Sequence, residues 1–218
     1  MKPIPLSLAL VAALAFSPLG YAHNGEVHAV ATPAAAATIS AKQAATRAVM
    51  RDLWVEHVFW IRNYVIASAA KNAGPRQVAA DQVVANAKAI AGAVGSFYGQ
   101  AAGDRMLTLL AGHWGAVKAN ADATLAGDVQ AQQAATTTML TNAKEIAAFL
   151  AKANPNLPEA TLVGLLSAHG AHHIAQNSQI AKGDYAGEAK TWAAMRAHMF
   201  TIADALTDAL AIQFPAKF

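Results

Sequence analysis

The sequence contains no cysteine. That excludes a disulfide, a thiolate metal ligand and covalent c-type haem attachment, so a bound metal would have to be held by His, carboxylate, amide or Met. Charge is sparse too. Only 13% of the 218 residues are charged, and no basic run stands out within a net charge of +3, so nothing points to nucleic acid. Alternating runs of Val, Ile and Thr are also scarce. What the chain has is Ala and other small residues, in a composition that is 55% hydrophobic. That combination favours an all-α domain over a sheet protein.

The N-terminus reads as a targeting signal. Lys2 supplies a short positive region, Pro5 to Leu19 a mostly apolar run, and Gly20-Tyr21-Ala22 a small-x-small cleavage site, giving a signal peptide over 1–22. The apolar run is too short for a spanning helix, so the expectation is a periplasmic or secreted protein with no membrane span in its mature form. Residues 23–38 lack sustained periodicity and read as a flexible arm. Cleavage after Ala22 would expose the amine and imidazole of His23, with His28 nearby. That pair suits Cu(II), or is simply an arm whose first residue is His.

From residue 39 to 218 the pattern is that of a single helical-bundle domain. Helices are expected over about 40–72, 76–98, 102–126, 129–153, a fifth opened by Asn156 and Pro158, and a sixth over 185–212. Gly74-Pro75, Gly127-Asp128, Asn154-Pro155 and Gly183-Asp184 mark turns. Connections this short favour antiparallel neighbours, hence an up-down bundle of about six helices around a four-helix-bundle-like core.

Each apolar stripe is interrupted near its middle by a polar residue. His57 lies in Leu53-Trp54-Val55-Glu56-His57-Val58-Phe59-Trp60-Ile61-Arg62 and shares a helix face with Leu53, Trp54, Trp60 and Ile61. His113 follows Met106, Leu109 and Leu110. Asn142 and Glu145 sit between Met139 and Phe149, His169 follows Leu162, Leu165 and Leu166, and His198 stands beside Met195 and Met199. In an antiparallel hairpin, residues equidistant from the turn share a level. Reflecting His113 through successive turns lands near Asn142, then His169, then His198, within about 3 Å per turn at 1.5 Å per residue. Several inward polar side chains therefore belong to one layer.

A buried imidazole without a partner costs about 1–3 kcal/mol, and two arrangements relieve that cost. The rings can bind a transition metal, with Glu56, Glu145 and Asn142 as ligands or as acceptors for imidazole N–H groups. Alternatively they can close a hydrogen-bond network with Asn142, Tyr98 and water. Imidazole suits Zn, Fe, Cu and Ni, and an added carboxylate leans towards Zn, Fe or Mn. Two facing histidines could also hold haem iron axially. The carboxylates do not match the paired Glu-x-x-His of a di-iron bundle. His172 and His173 are either further ligands on the His169 face or a polar surface edge. Met106, Met139, Met195 and Met199, and the four tryptophans, read as core filler. Arg62, Asp204 and Asp208 are placed at the edge of the layer or in solvated, capping roles.

At these residues the chain resembles a family of small bacterial helical proteins of unassigned function. The resemblance rests on Leu53-Trp54-x-Glu56-His57-Val58-x-Trp60-x-Arg62, Tyr98-Gly99, His113, Asn142-Ala143-x-Glu145-Ile146-Ala147-x-Phe149-Leu150, Asn154-Pro155-Asn156, His169, His198, and Ala203-Asp204-x-Leu206-Thr207-Asp208 through Gln213-Phe214-Pro215-x-Lys217-Phe218. It covers roughly residues 50–218, passes over His172 and His173, and implies no particular activity. The sequence thus yields an expected metal set of His57, His113, His169, His198, Glu56, Glu145 and Asn142. The bound species would be Fe, Zn, Cu, Mn or haem, and the role redox chemistry, small-molecule binding or metal handling. The alternative is a metal-free interaction protein whose polar layer fixes helix register. Catalysis at such a site would require an open coordination position.

Overall fold

A computed structural model describes residues 39–218. The signal peptide expected over 1–22, the arm over 23–38 and the His23/His28 copper reading lie outside the described residues. Within them are six α-helices and no strand: α1 Ala41–Ala69, α2 Ala73–Tyr98, α3 Gln100–Ala126, α4 Val129–Ala153, α5 Glu159–Ala181 and α6 Tyr185–Gln213, followed by a 3₁₀ turn at Pro215–Lys217. No helix among them is long and apolar enough to cross a membrane.

Local chemistry sets the helix ends. Ser40, Asp128 and Asp184 each cap a helix by accepting from the backbone N–H three residues on. Gly127 and Gly183 take the left-handed conformation that turns the chain. Two boundaries differ from expectation. Asn156 does not cap α5, which starts at Glu159 with Pro158 at the N-cap, and instead donates to Asn154 Oδ1. Gly74-Pro75 does not close α1 but lies in the first turn of α2, where a proline's missing N–H has no helical partner to lose. The chain leaves α1 earlier, through Lys71 at φ 54°.

Successive helices pack as antiparallel hairpins. Across α3–α4, Asn120 donates to the Gln132 carbonyl near the turn and Asn142 to the Leu109 carbonyl far from it. Each helix contacts the next and α6 returns to α1, while α1, α3 and α5 also touch one another. These three run parallel, being alternate members of an up-down series, and they form the interior. Counted from their starts at Ala41, Gln100 and Glu159, His57, His113, His169 and His173 fall within about two turns of one another. The histidines separate a large apolar cluster, running from Met50 and Trp54 to Leu206 and Ala209, from a smaller one of Ile61, Val83, Ala116, Val117 and Met139.

Several residues of the quoted motifs meet at the end of the bundle far from the α1–α2 turn. Tyr98 donates to Gln213 Oε1 (2.8 Å) and accepts from Asn154 (3.0 Å), and Gln213 donates to the Ala153 carbonyl. Phe97 packs on Phe214 and Phe218, and Lys217 donates to the Ser96 carbonyl. Tyr98 is therefore part of a terminal clamp and takes no part in the histidine layer.

Candidate metal centre

Three of the expected histidines converge, and a fourth joins them. His57 from α1, His113 from α3, and His169 and His173 from α5 are all buried, and one nitrogen from each lies within 4.8 Å of the other three. His169 and His173, four residues apart on one helix face, already bring their Nε2 atoms to 3.1 Å. That spacing lets one helix chelate an ion with two imidazoles. Ring centres within the quartet are 4.5 to 6.3 Å apart. With metal–nitrogen bonds of about 2.0–2.1 Å and ring centres about 1.1 Å further out, a tetrahedral tetra-imidazole site would place them about 5.2 Å apart. The observed separations bracket that value, so small ring movements would close the site around an ion.

Without an ion the quartet is poorly satisfied. Both nitrogens of His57, both of His113 and Nδ1 of His169 make no well-formed hydrogen bond to a described protein group, the asparagines behind His57 and His113 being their nearest polar neighbours. Burial keeps the rings neutral. It pushes His57 down to about 3, helped by the neighbouring His113, and His113 down to about 4. His169 and His173 are driven well below the ordinary histidine value, first by burial and then by the other rings. Neutral imidazole is the form that ligates metal.

Two asparagines back the quartet. Asn86 of α2 lies against His57 and Asn142 of α4 against His113, each favouring the protonated ring. The Asn86 amide group is held by the Leu53 carbonyl (3.0 Å) and Glu56 Oε2 (3.2 Å), and that of Asn142 by the Leu109 carbonyl (3.0 Å). Both Oδ1 atoms have no other partner. They are suited to accept the N–H of a ring whose other nitrogen binds metal, the usual way a ligating histidine is oriented.

The other expected site residues lie elsewhere. His198 is half-buried on the α5 side of α6, where Nε2 donates to the Leu165 carbonyl at 2.8 Å. Its level agrees with the reflection argument but its direction does not, because α6 turns Met195 and Met199 inward at that height. Glu145 is exposed, beside a shallow surface depression shared with Gly112, Thr137 and Thr141. Glu56 is exposed too, accepts from Trp60 Nε1 at 3.3 Å, and reaches His57 only through Asn86. No carboxylate belongs to the quartet, which removes the basis for preferring Mn. A porphyrin has no slot either. The rings touch one another, and the adjoining cavity, lined by Trp54, Leu110, Ala143, Ile146 and Leu166, holds about 10 Å³.

Sequence reasoning left His173 undecided and passed over Asn86, although Asn86 interrupts the Val83–Ile90 stripe as Asn142 interrupts its own. It also missed Glu188, which is 2% exposed. Glu188 binds Arg62 through two 2.6 Å contacts and accepts from Gln176 at 2.9 Å. The Arg62 guanidinium holds its carboxyl below the usual range. Asp204 pairs with Arg47 and Arg51, and Asp208 with Arg47 and Gln43, so these acids tie α6 to α1.

Comparison with protein-family models, with curated proteins and with solved structures found no match.

Proposed function

We propose that this chain is an exported, periplasmic or secreted, metal-binding helical bundle whose His57/His113/His169/His173 quartet holds one transition-metal ion. The observation that carries the reading is the set of five buried, unpartnered imidazole nitrogens on rings already near tetrahedral spacing. Asn86 and Asn142 can accept the outward N–H groups of His57 and His113 with or without an ion, so a metal-free layer leaves the inward nitrogens of those two rings and Nδ1 of His169 to be satisfied, roughly 3–9 kcal/mol at about 1–3 kcal/mol each. An ion takes one lone pair from each ring, and Asn86 and Asn142 take the outward N–H groups of His57 and His113. The structural-network alternative shares those two asparagine contacts and needs a further donor for the inward nitrogens.

Four nitrogen donors without thiolate or carboxylate suit zinc or copper best, with Fe(II) next. A tetrahedral ion held by four protein ligands has no position for a substrate, so the arrangement favours sequestration, storage or structural stapling over activation of water. Titration of metal-free protein with Co(II) tests the geometry. One equivalent with intense tetrahedral visible bands, displaced by zinc and lost in His113→Ala, is expected. Weak octahedral bands, or no binding, would overturn the reading.

A further inference from the structure

Outside the quartet, two more histidines face each other across the α5–α6 seam. His172 and His198 are each half-exposed, with ring centres 5.4 Å apart, close to the separation of about 5.2 Å for two imidazoles on one tetrahedral ion. A carbonyl oxygen only accepts, so the contact to Leu165 fixes the proton of His198 on Nε2 and leaves a lone pair on Nδ1. On His172, Nδ1 is buried without a well-formed hydrogen bond, and the Ala168 carbonyl one turn back is the backbone group the ring approaches. A neutral ring whose proton is held by a carbonyl keeps a lone pair on its other nitrogen, so each of the two rings retains one nitrogen for a ligand.

We propose that His172 and His198 form a second, weaker metal site that receives the ion from solvent and loads the buried quartet. This rests on the quartet being a metal site. Two imidazoles leave the remaining coordination positions to water, so the ion at this pair exchanges quickly. The pair also adjoins the quartet. His172 precedes His173 in α5, and His198 is held by the carbonyl of Leu165, one turn before His169 on the same helix. The outer pair and the two α5 ligands of the quartet thus share the stretch Leu165–His173, so an ion released at the surface pair has only the width of one helix to cross.

The test uses zinc and Co(II) with the full chain and the His172→Ala/His198→Ala variant. Both substitutions are at half-exposed positions. Wild type should bind one tight and one weaker equivalent. The double variant should keep the tight equivalent, lose the weaker one, and fill the quartet at least tenfold more slowly in stopped-flow. Wild-type loading rate in the variant, or retention of the weaker equivalent, would overturn the proposal. His113→Ala, with His57→Asn as a second route to the same defect, separates the two sites. A weak equivalent that survives there and disappears when His172 and His198 are also replaced supports the pair even if the quartet reading fails. Absence of that weak equivalent in a folded His113→Ala protein counts against the pair alone.

Discussion

Acid should unfold the metal-free protein well above the range where its carboxylates titrate. The perturbation is a drop from pH 7 to pH 5, and the responsible groups are the four quartet rings. In the unfolded chain each imidazole takes up a proton near pH 6.5. In the fold His57 resists until about pH 3 and His113 until about pH 4, and His169 and His173 are lowered strongly as well. Because the folded values are depressed, the unfolded state binds more protons below 6.5, and stability falls as pH falls through that window. Linkage gives about 1.4 kcal/mol per ring per pH unit once the unfolded ring is protonated, hence about 2 kcal/mol per ring by pH 5 and roughly 8 for the four. His172, also lowered but half-exposed, adds less. Glu188 and Asp204 do not interfere. Their folded values lie below 4.5 and 3.8, so the stability they contribute is present above those values and is lost only in stronger acid. Urea unfolding of chelator-stripped protein, followed by circular dichroism, should show the midpoint collapsing between pH 7 and pH 5. An unchanged midpoint would refute the claim that four neutral histidines are buried together.

The other predictions concern single positions. His173→Ala should abolish tight metal binding, whereas His198→Ala should leave the tight equivalent intact by elemental analysis. A Cβ on Gly103 would sit 3.0 Å from the Ala91 carbonyl oxygen and 3.3 Å from Gly95 Cα, so Gly103→Ala should destabilise by about 1–3 kcal/mol in chemical unfolding. Gly92 has open space at the same position of the added carbon, and Gly92→Ala should instead stabilise by about 0.5–1 kcal/mol. Arg62→Ala strands a buried carboxylate and should cost about 3 kcal/mol or more, while replacing Arg62 and Glu188 together by Met should recover much of it in a double-mutant cycle.

The helices were legible because composition, most capping residues and the turn glycines Gly127 and Gly183 agreed, and Ser40, Asp128 and Asp184 cap as such residues do, whereas Gly74 and Asn156 took other places. The level of the polar layer was legible as well, since antiparallel hairpins make height a matter of counting from turns. Direction was not. Whether a histidine at the right height faces the axis depends on which helices form the interior, and the contacts among α1, α3 and α5 leave no local trace in the sequence. His198 fell on the wrong side for that reason. His173 was masked by its neighbour His172, since adjacent residues point about 100° apart on a helix and periodicity alone does not say which turns inward. Glu188 was missed because an acid in a first helical turn reads as a dipole partner, while its burial depends on Arg62, 126 residues away in sequence.

The most direct test of the central claim is elemental analysis of the natively exported protein, purified without a histidine tag or chelator, alongside His113→Ala and His173→Ala. The account predicts close to one transition-metal ion per wild-type chain and a near-complete loss in each folded variant. A folded wild-type protein that carries no metal, and takes up none when offered zinc, copper and iron, would contradict it.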